Sequence, residues 1–203
     1  MTMILRSSPP SPFGRKVKIA AAVLGLSDQI RIEIADTNDA NDTVRQQNPL
    51  GKIPVLITED DVSVYDSRVI LEYLDDVAGG GRIVPADKAQ RLADLRLQAL
   101  ADGMMDAGIL QVYEKRMRPE DKQHQPWLDY QAGKIARALD HLEAHSPVLH
   151  KLPTVGEIAI ACALGYLDLR FGGEWRSGHP TLVKWLDAFA AAVPAFEKTK
   201  VTA

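Results

Sequence analysis

The stretch Asn48-Pro49-Leu50-Gly51-Lys52-Ile53-Pro54-Val55-Leu56, with Asp66-Ser67 ten residues further on, combines residue types suited to holding a small peptide. Val55, Leu56 and Ile57 form a short apolar run that stops at the polar turn Thr58-Glu59-Asp60-Asp61, so a strand begins at or just after Pro54. Proline cannot donate a ladder hydrogen bond, and at the head of a strand it leaves the neighbouring backbone N–H and C=O free for another chain. A cis Ile53–Pro54 bond would aim those groups out of the sheet edge. The segment from Tyr65 to Leu74 reads as the start of a helix. Asp66 or Ser67 can cap it, and its free N–H groups and positive dipole end favour a carboxylate. An exposed backbone edge beside such a helix start suits a small peptide that carries a carboxylate.

This pair of motifs resembles the glutathione S-transferase superfamily, whose glutathione-binding domain has a thioredoxin-like fold. The resemblance implies that Ile53 and Pro54 pair with the cysteinyl backbone of glutathione and that Lys52 meets its glycyl carboxylate. It further implies that Asp66 binds the γ-glutamyl ammonium and Ser67 the γ-glutamyl carboxylate. Glutathione is then a co-substrate, with no metal and no tightly bound cofactor. The partners implied are glutathione, a small electrophilic substrate and a second copy of the chain in a homodimer.

Such a reaction needs the glutathione thiolate. A free thiol has a pKa of about 8.5, so only a few per cent is ionised at neutral pH. Lowering that by about two units takes about 2.7 kcal/mol of preferential stabilisation. One hydroxyl donating to the anion supplies roughly 1.5–3 kcal/mol, and a helix N-terminus adds about 0.3–1 kcal/mol. Ser7, Ser8 and Ser11 all precede the first helix. Taken alone they would populate a turn or cap that helix. Ser11-Pro12-Phe13-Gly14-Arg15 resembles the family's active-site turn, which makes Ser11 the expected thiolate donor and Ser8 the second choice. Arg15 either supports the anion or lies solvated on the first helical turn. With serine here, exchange through an enzyme-bound mixed disulfide is not expected.

The elements that must position these residues follow from pattern. A short strand begins at Ile4-Leu5, a helix runs from Phe13 to Leu26, and Ile30–Ile34 alternates as a half-buried strand. A polar helix within Asn38–Gln47, strands at Val55–Ile57 and Val62–Val64, and a helix from Asp66 to Val77 complete a β-α-β-α-β-β-α order, that of a mixed four-stranded thioredoxin-like domain. Ala78-Gly79-Gly80-Gly81-Arg82 lacks the Gly-Lys-Ser/Thr of a phosphate loop and reads as a flexible linker. The expected division is residues 1–78, a linker over 79–87, and an all-α helical bundle over 88–203. In that second part, helices are expected over Ala89–Arg116, Trp127–His145, Ile158–Leu169 and Pro180–Ala192, with a capping box at Thr154–Glu157. Met104, Met105, Gly108 and Tyr113 on the long helix are the expected electrophile side, although a methionine pair also suits a core. Asp102 and Asp106 read as its polar face. Cys162 reads as a small buried hydrophobe, and Trp127, Trp175 and Trp185 as packing residues.

Composition sets the outer limits. The chain has 203 residues, 46% hydrophobic and 25% charged, with a formal charge of −3. This is an ordinary globular balance, without the basic stripe of a nucleic-acid binder. No apolar run nears the roughly 20 residues that cross a bilayer, and no long apolar stretch follows Met1, so a cytoplasmic protein is expected. The single Cys162 excludes an internal disulfide. His141 and His145 sit one turn apart with no third ligand, so no metal site is expected. The same site would also serve a glutathione-dependent isomerase, dehalogenase or peroxidase. A non-catalytic glutathione-binding or protein-interaction member is the alternative of a different class.

Overall fold

The structure, a computed structural model, describes residues 2–201. Strands β1 (Met3–Ser7), β2 (Ile30–Ile34), β3 (Val55–Ile57) and β4 (Ser63–Val64) form one mixed sheet in the order β2-β1-β3-β4. β2 runs parallel to β1, while β3 and β4 are antiparallel to their neighbours. Helices α1 (Pro12–Leu24), α2 (Val44–Gln47) and α3 (Ser67–Val77) complete the thioredoxin-like domain. Pro12 opens α1, where its missing N–H costs nothing, and Gly25 closes it at φ 77°.

Three expectations in this half change. The polar helix shortens to α2, because the carboxylates of Asp36, Asp39 and Asp42 each accept a backbone N–H two residues on and so stabilise turns instead. β2 is an edge strand whose Ile32 and Ile34 are exposed, so its alternation does not bury a full face. The glycine segment is pinned, not loose. Gly79, Gly80 and Gly81 all take positive φ, which lets the chain wrap the buried Asp75. The Asp75 carboxylate accepts from the N–H of Gly81 (2.7 Å), Arg82 (3.0 Å) and Ile83 (2.7 Å).

The helical domain comprises α4 (Lys88–Met117), α5 (Gln125–Ala144), α6 (Val155–Phe171), α7 (Pro180–Ala192) and α8 (Pro194–Lys198). α6 is apolar on nearly every face and lies at the centre, between α4 and α1. Its capping box forms as expected, with the Thr154 N–H donating to Glu157 at 3.0 Å. The Thr154 hydroxyl also donates to Asp94 of α4. Buried side chains of the sheet, α1, α3 and all five later helices join in one hydrophobic cluster, so the sheet and the bundle share a core. Trp175 and Trp185 belong to it, whereas Trp127 stacks on Tyr130 at the surface. No helix among the described residues is long and apolar enough to cross a membrane.

Candidate active site

Strand register collects the sequence motifs at one end of the sheet. Arg6 pairs with Val55, so the chain beyond Ser7 runs beside Ile53-Pro54. Leu56 pairs with Val64, so Tyr65-Asp66 and the start of α3 run along the other side of Pro54. The Ile53–Pro54 peptide is cis. The turn ahead of it is built by Asn48, a residue whose part the sequence does not reveal. Its buried amide donates to the Lys52 carbonyl (2.9 Å) and accepts from the Leu50 N–H (3.0 Å). Gly51, at φ 60°, allows the reversal. Lys52 itself is exposed.

The three serines part company. Ser7 is buried under α1, so close that a Cβ on Gly14 would stand 2.0 Å from its Oγ. Ser8 is half-buried, and its carbonyl accepts from the Ser11 N–H at 3.2 Å. Ser11 is the N-cap of α1, its Oγ accepting from the Gly14 N–H at 3.1 Å. That bond uses an oxygen lone pair and leaves the hydroxyl proton available to an anion.

At α3 the cap is Asp66, whose carboxylate accepts from the Arg68 N–H at 2.9 Å, while Ser67 is the buried first residue of the helix. The Arg68 guanidinium also forks onto Asp66, with Nη2 at 2.9 Å. Partial burial pushes the Asp66 carboxyl up, but the Arg68 side chain and backbone N–H outweigh it and hold the group below the usual carboxylate range. Behind this pair lies Asp102, which is not on a polar face. It is buried on α4 and accepts from Lys16 Nζ of α1 at 2.7 Å, with the lysine fully enclosed. Arg68 Nε stands 3.7 Å from its other oxygen. Asp106, one turn on, is exposed as expected.

The electrophile-side set does not form one lining. Met104 and Met105 are 2% and 1% exposed in the shared core, because the face of α4 that carries them packs on α6. Gly108 is also buried, the Tyr166 ring lying 3.2 Å from where its Cβ would be, and Tyr113 points outward, 45% exposed. The space next to Ser11 is instead a cavity of about 340 Å³ bounded by the Pro9–Pro12 turn, α6, α7 and the segment from α8 to Val201. Tyr166 and Arg15 line it, and Cys162 forms part of its wall. Enclosure pushes the Cys162 thiol up to about 12, so it is an inert wall residue. Burial likewise raises the Tyr166 phenol. Arg15, far from being solvated, is buried and bonded to the C-terminal segment. No group of three His, Cys, Asp or Glu among the described residues is placed to hold a metal ion.

Comparison with known proteins identifies the family to which this fold belongs. The family model for the glutathione S-transferase N-terminal domain matches residues 10–77, and that for the C-terminal domain matches residues 112–188. An uncharacterised GST-like protein of Escherichia coli K12, YibF, is 37% identical over 91% of this chain and 92% of its own. A glutathione transferase family member from Pseudomonas fluorescens Pf-5, solved with bound glutathione, is 38% identical with a TM-score of 0.91, all of both chains being covered. A glutathione S-transferase from Methylobacillus flagellatus KT, also with glutathione bound, is 35% identical with a TM-score of 0.90 over 98% of each chain. The shared sheet, the helical bundle and the full-length similarity together make this chain a member of the glutathione S-transferase family.

Proposed function

We propose that the chain is a glutathione transferase that ionises the glutathione thiol and directs the thiolate at an electrophile. The observation that carries this reading is the meeting of a helix-capping serine, a free strand head and an acidic helix cap at one end of the sheet. In it, the cysteinyl backbone of glutathione pairs beside Ile53-Pro54, Lys52 takes the glycyl carboxylate, and Asp66 with Ser67 holds the γ-glutamyl end. Ser11 then donates to the sulfur, whose proton passes to water. The glutathione bound in two full-length relatives supports the ligand. Calorimetric titration with glutathione, followed by turnover of a halonitrobenzene, tests the proposal. Binding without turnover would favour a non-catalytic glutathione-binding member, and no binding would favour a protein-interaction member and remove the transferase reading.

The charge state of Asp66 adds a pH signature. A carboxyl held below its ordinary range stays ionised until the pH falls through that lowered value, so its contribution is complete above the ordinary range and is lost only on acidification. The affinity for S-methylglutathione, which has no thiol to ionise, is therefore expected to stay level from pH 8 down to pH 5, roughly the upper edge of carboxylate titration. Asp66→Asn should weaken it about tenfold throughout, the value of one charge-assisted hydrogen bond near 1.5 kcal/mol. Calorimetry across that range checks both, and a wild-type affinity that fell steadily from pH 8 would count against Asp66 as the ammonium partner. We further read the protein as a cytoplasmic homodimer. Val69 and Val77 on α3 and Leu92 on α4 are exposed apolar side chains available to a second copy, and a one-chain mass by sedimentation equilibrium would exclude it.

A further inference from the structure

Arg15 is an anomaly of charge. Its side chain is buried, yet no carboxylate among the described residues comes within 4.0 Å of it. Nη2 donates to the Phe196 carbonyl at 2.6 Å and Nε to Thr199 Oγ1 at 3.2 Å, and the guanidinium carbon stands 4.1 Å from the centre of the Phe196 ring. All these partners are neutral. Nη1 donates to no atom of the described residues, nor is it sealed in as a buried orphan. It lies against Gly165, where a Cβ would come within 2.5 Å, and both residues line the cavity that Ser11 also lines. A guanidinium cannot shed its proton to escape burial, so an enclosed one without a counter-charge is relieved by an anion.

The other charges around the cavity are committed or remote. Asp168 is held by both Arg176 (2.9 and 2.7 Å) and Trp175 Nε1 (2.9 Å). Glu197 pairs with Lys200 at 3.6 Å, and Asp187 is exposed on α7. Burial draws the Arg15 pKa down and prevails over the through-space pull of Glu197 and Asp168. Ser11 and Arg15 are separated by one turn of α1, so they share a face and their backbones lie about 6 Å apart along the axis.

We propose that this cavity receives a small electrophile bearing a carboxylate, with the carboxylate on Arg15 Nη1 and the reacting carbon beside Ser11. This deepens the transferase reading and rests on it for the position of the sulfur. With a halomethyl benzoate, the glutathione sulfur forms the new C–S bond, the carbon–halogen bond breaks, and the halide leaves with its electron pair. The thiol proton has by then gone to water, so no further reactant enters.

Two measurements test the proposal. The first is direct binding of 4-methylbenzoate and of 4-methylbenzamide, which need neither glutathione nor turnover. The wild-type protein should bind the acid at least about tenfold more tightly than the amide, and Arg15→Gln should abolish the difference. Equal affinities in the wild type, or the same preference in Arg15→Gln, would overturn it. Should Arg15→Gln unfold, Gly165→Ala retains the arginine but displaces its guanidinium, because the added Cβ would stand 2.5 Å from Nη1, and it must lower the preference as well. The second is the ratio of kcat/KM for 4-(bromomethyl)benzoate over its amide, with glutathione KM recorded alongside. An Arg15 effect confined to the acid supports a carboxylate receptor, whereas an equal loss for both substrates rules it out. If no electrophile turns over but the acid still binds through Arg15, the transferase reading fails and the carboxylate site stands.

Discussion

Ser11→Ala is expected to lower kcat/KM for glutathione conjugation by about 10- to 100-fold while leaving the Kd for glutathione, read below the midpoint of the bound thiol, within about twofold. The range follows from losing one hydrogen bond to an anion, worth roughly 1.5–3 kcal/mol, at about 1.4 kcal/mol per tenfold. In the proposed binding mode the sulfur is one contact among several, the remainder lying beside Pro54 and at Asp66, which accounts for the expected asymmetry between rate and affinity. The same substitution removes the cap of α1, whose Gly14 N–H loses its acceptor, at about 1 kcal/mol of stability. A drop in rate from partial unfolding would lower the active fraction without moving the thiol. The deciding readout is therefore the thiolate absorbance of bound glutathione as a function of pH. In Ser11→Ala its midpoint should rise toward the free value of about 8.5, and Ser8→Ala should leave it where the wild type has it. If Ser8→Ala moves the midpoint and Ser11→Ala does not, the donor is Ser8.

What the chain reveals unaided is what local chemistry dictates. Pro12, Ser11 and Asp66 declare the starts of helices because caps and prolines act through their immediate neighbours. Pro54 marks the head of β3 for the same reason, and the capping box at Thr154 is readable from four consecutive residues. What remains hidden are the long-range partnerships. Arg15 looks like an ordinary first-turn arginine until Phe196 and Thr199, more than 180 positions away, close over it. Met104 and Met105 carry a pattern common to a core and a pocket, and only the approach of α6 decides between them. The glycines after α3 suggest looseness, yet positive φ angles serve there to wrap the chain around one buried carboxylate.

Lys16→Met should be the most damaging single change to stability, because it strands Asp102 in the joint between the two domains. Asp102 is 6% exposed, and its nearest remaining cation would be Arg68 at 3.7 Å. Removing one member of a buried pair costs about 3–5 kcal/mol, which for a chain of this size lowers Tm by roughly 6 to 20 °C. Replacing both, as Lys16→Met with Asp102→Leu, should recover most of the loss, since the site then holds apolar groups among the residues that already surround it. The pH dependence has a definite sign. Burial already pushes the Asp102 carboxyl up, opposed by Lys16 and Arg68. Without Lys16 it rises further, so the folded state binds the proton more tightly than the unfolded state does. The single variant should thus lose stability as pH climbs through that raised value and regain it on acidification, while the double variant shows no such slope. Urea unfolding of the wild type, Lys16→Met, Asp102→Leu and the double variant at pH 5 and pH 8 measures the cycle. A double variant as unstable as Lys16→Met alone would mean that the pair is not what holds α1 against α4, and that the shared core around Met104 and Met105 does so without it.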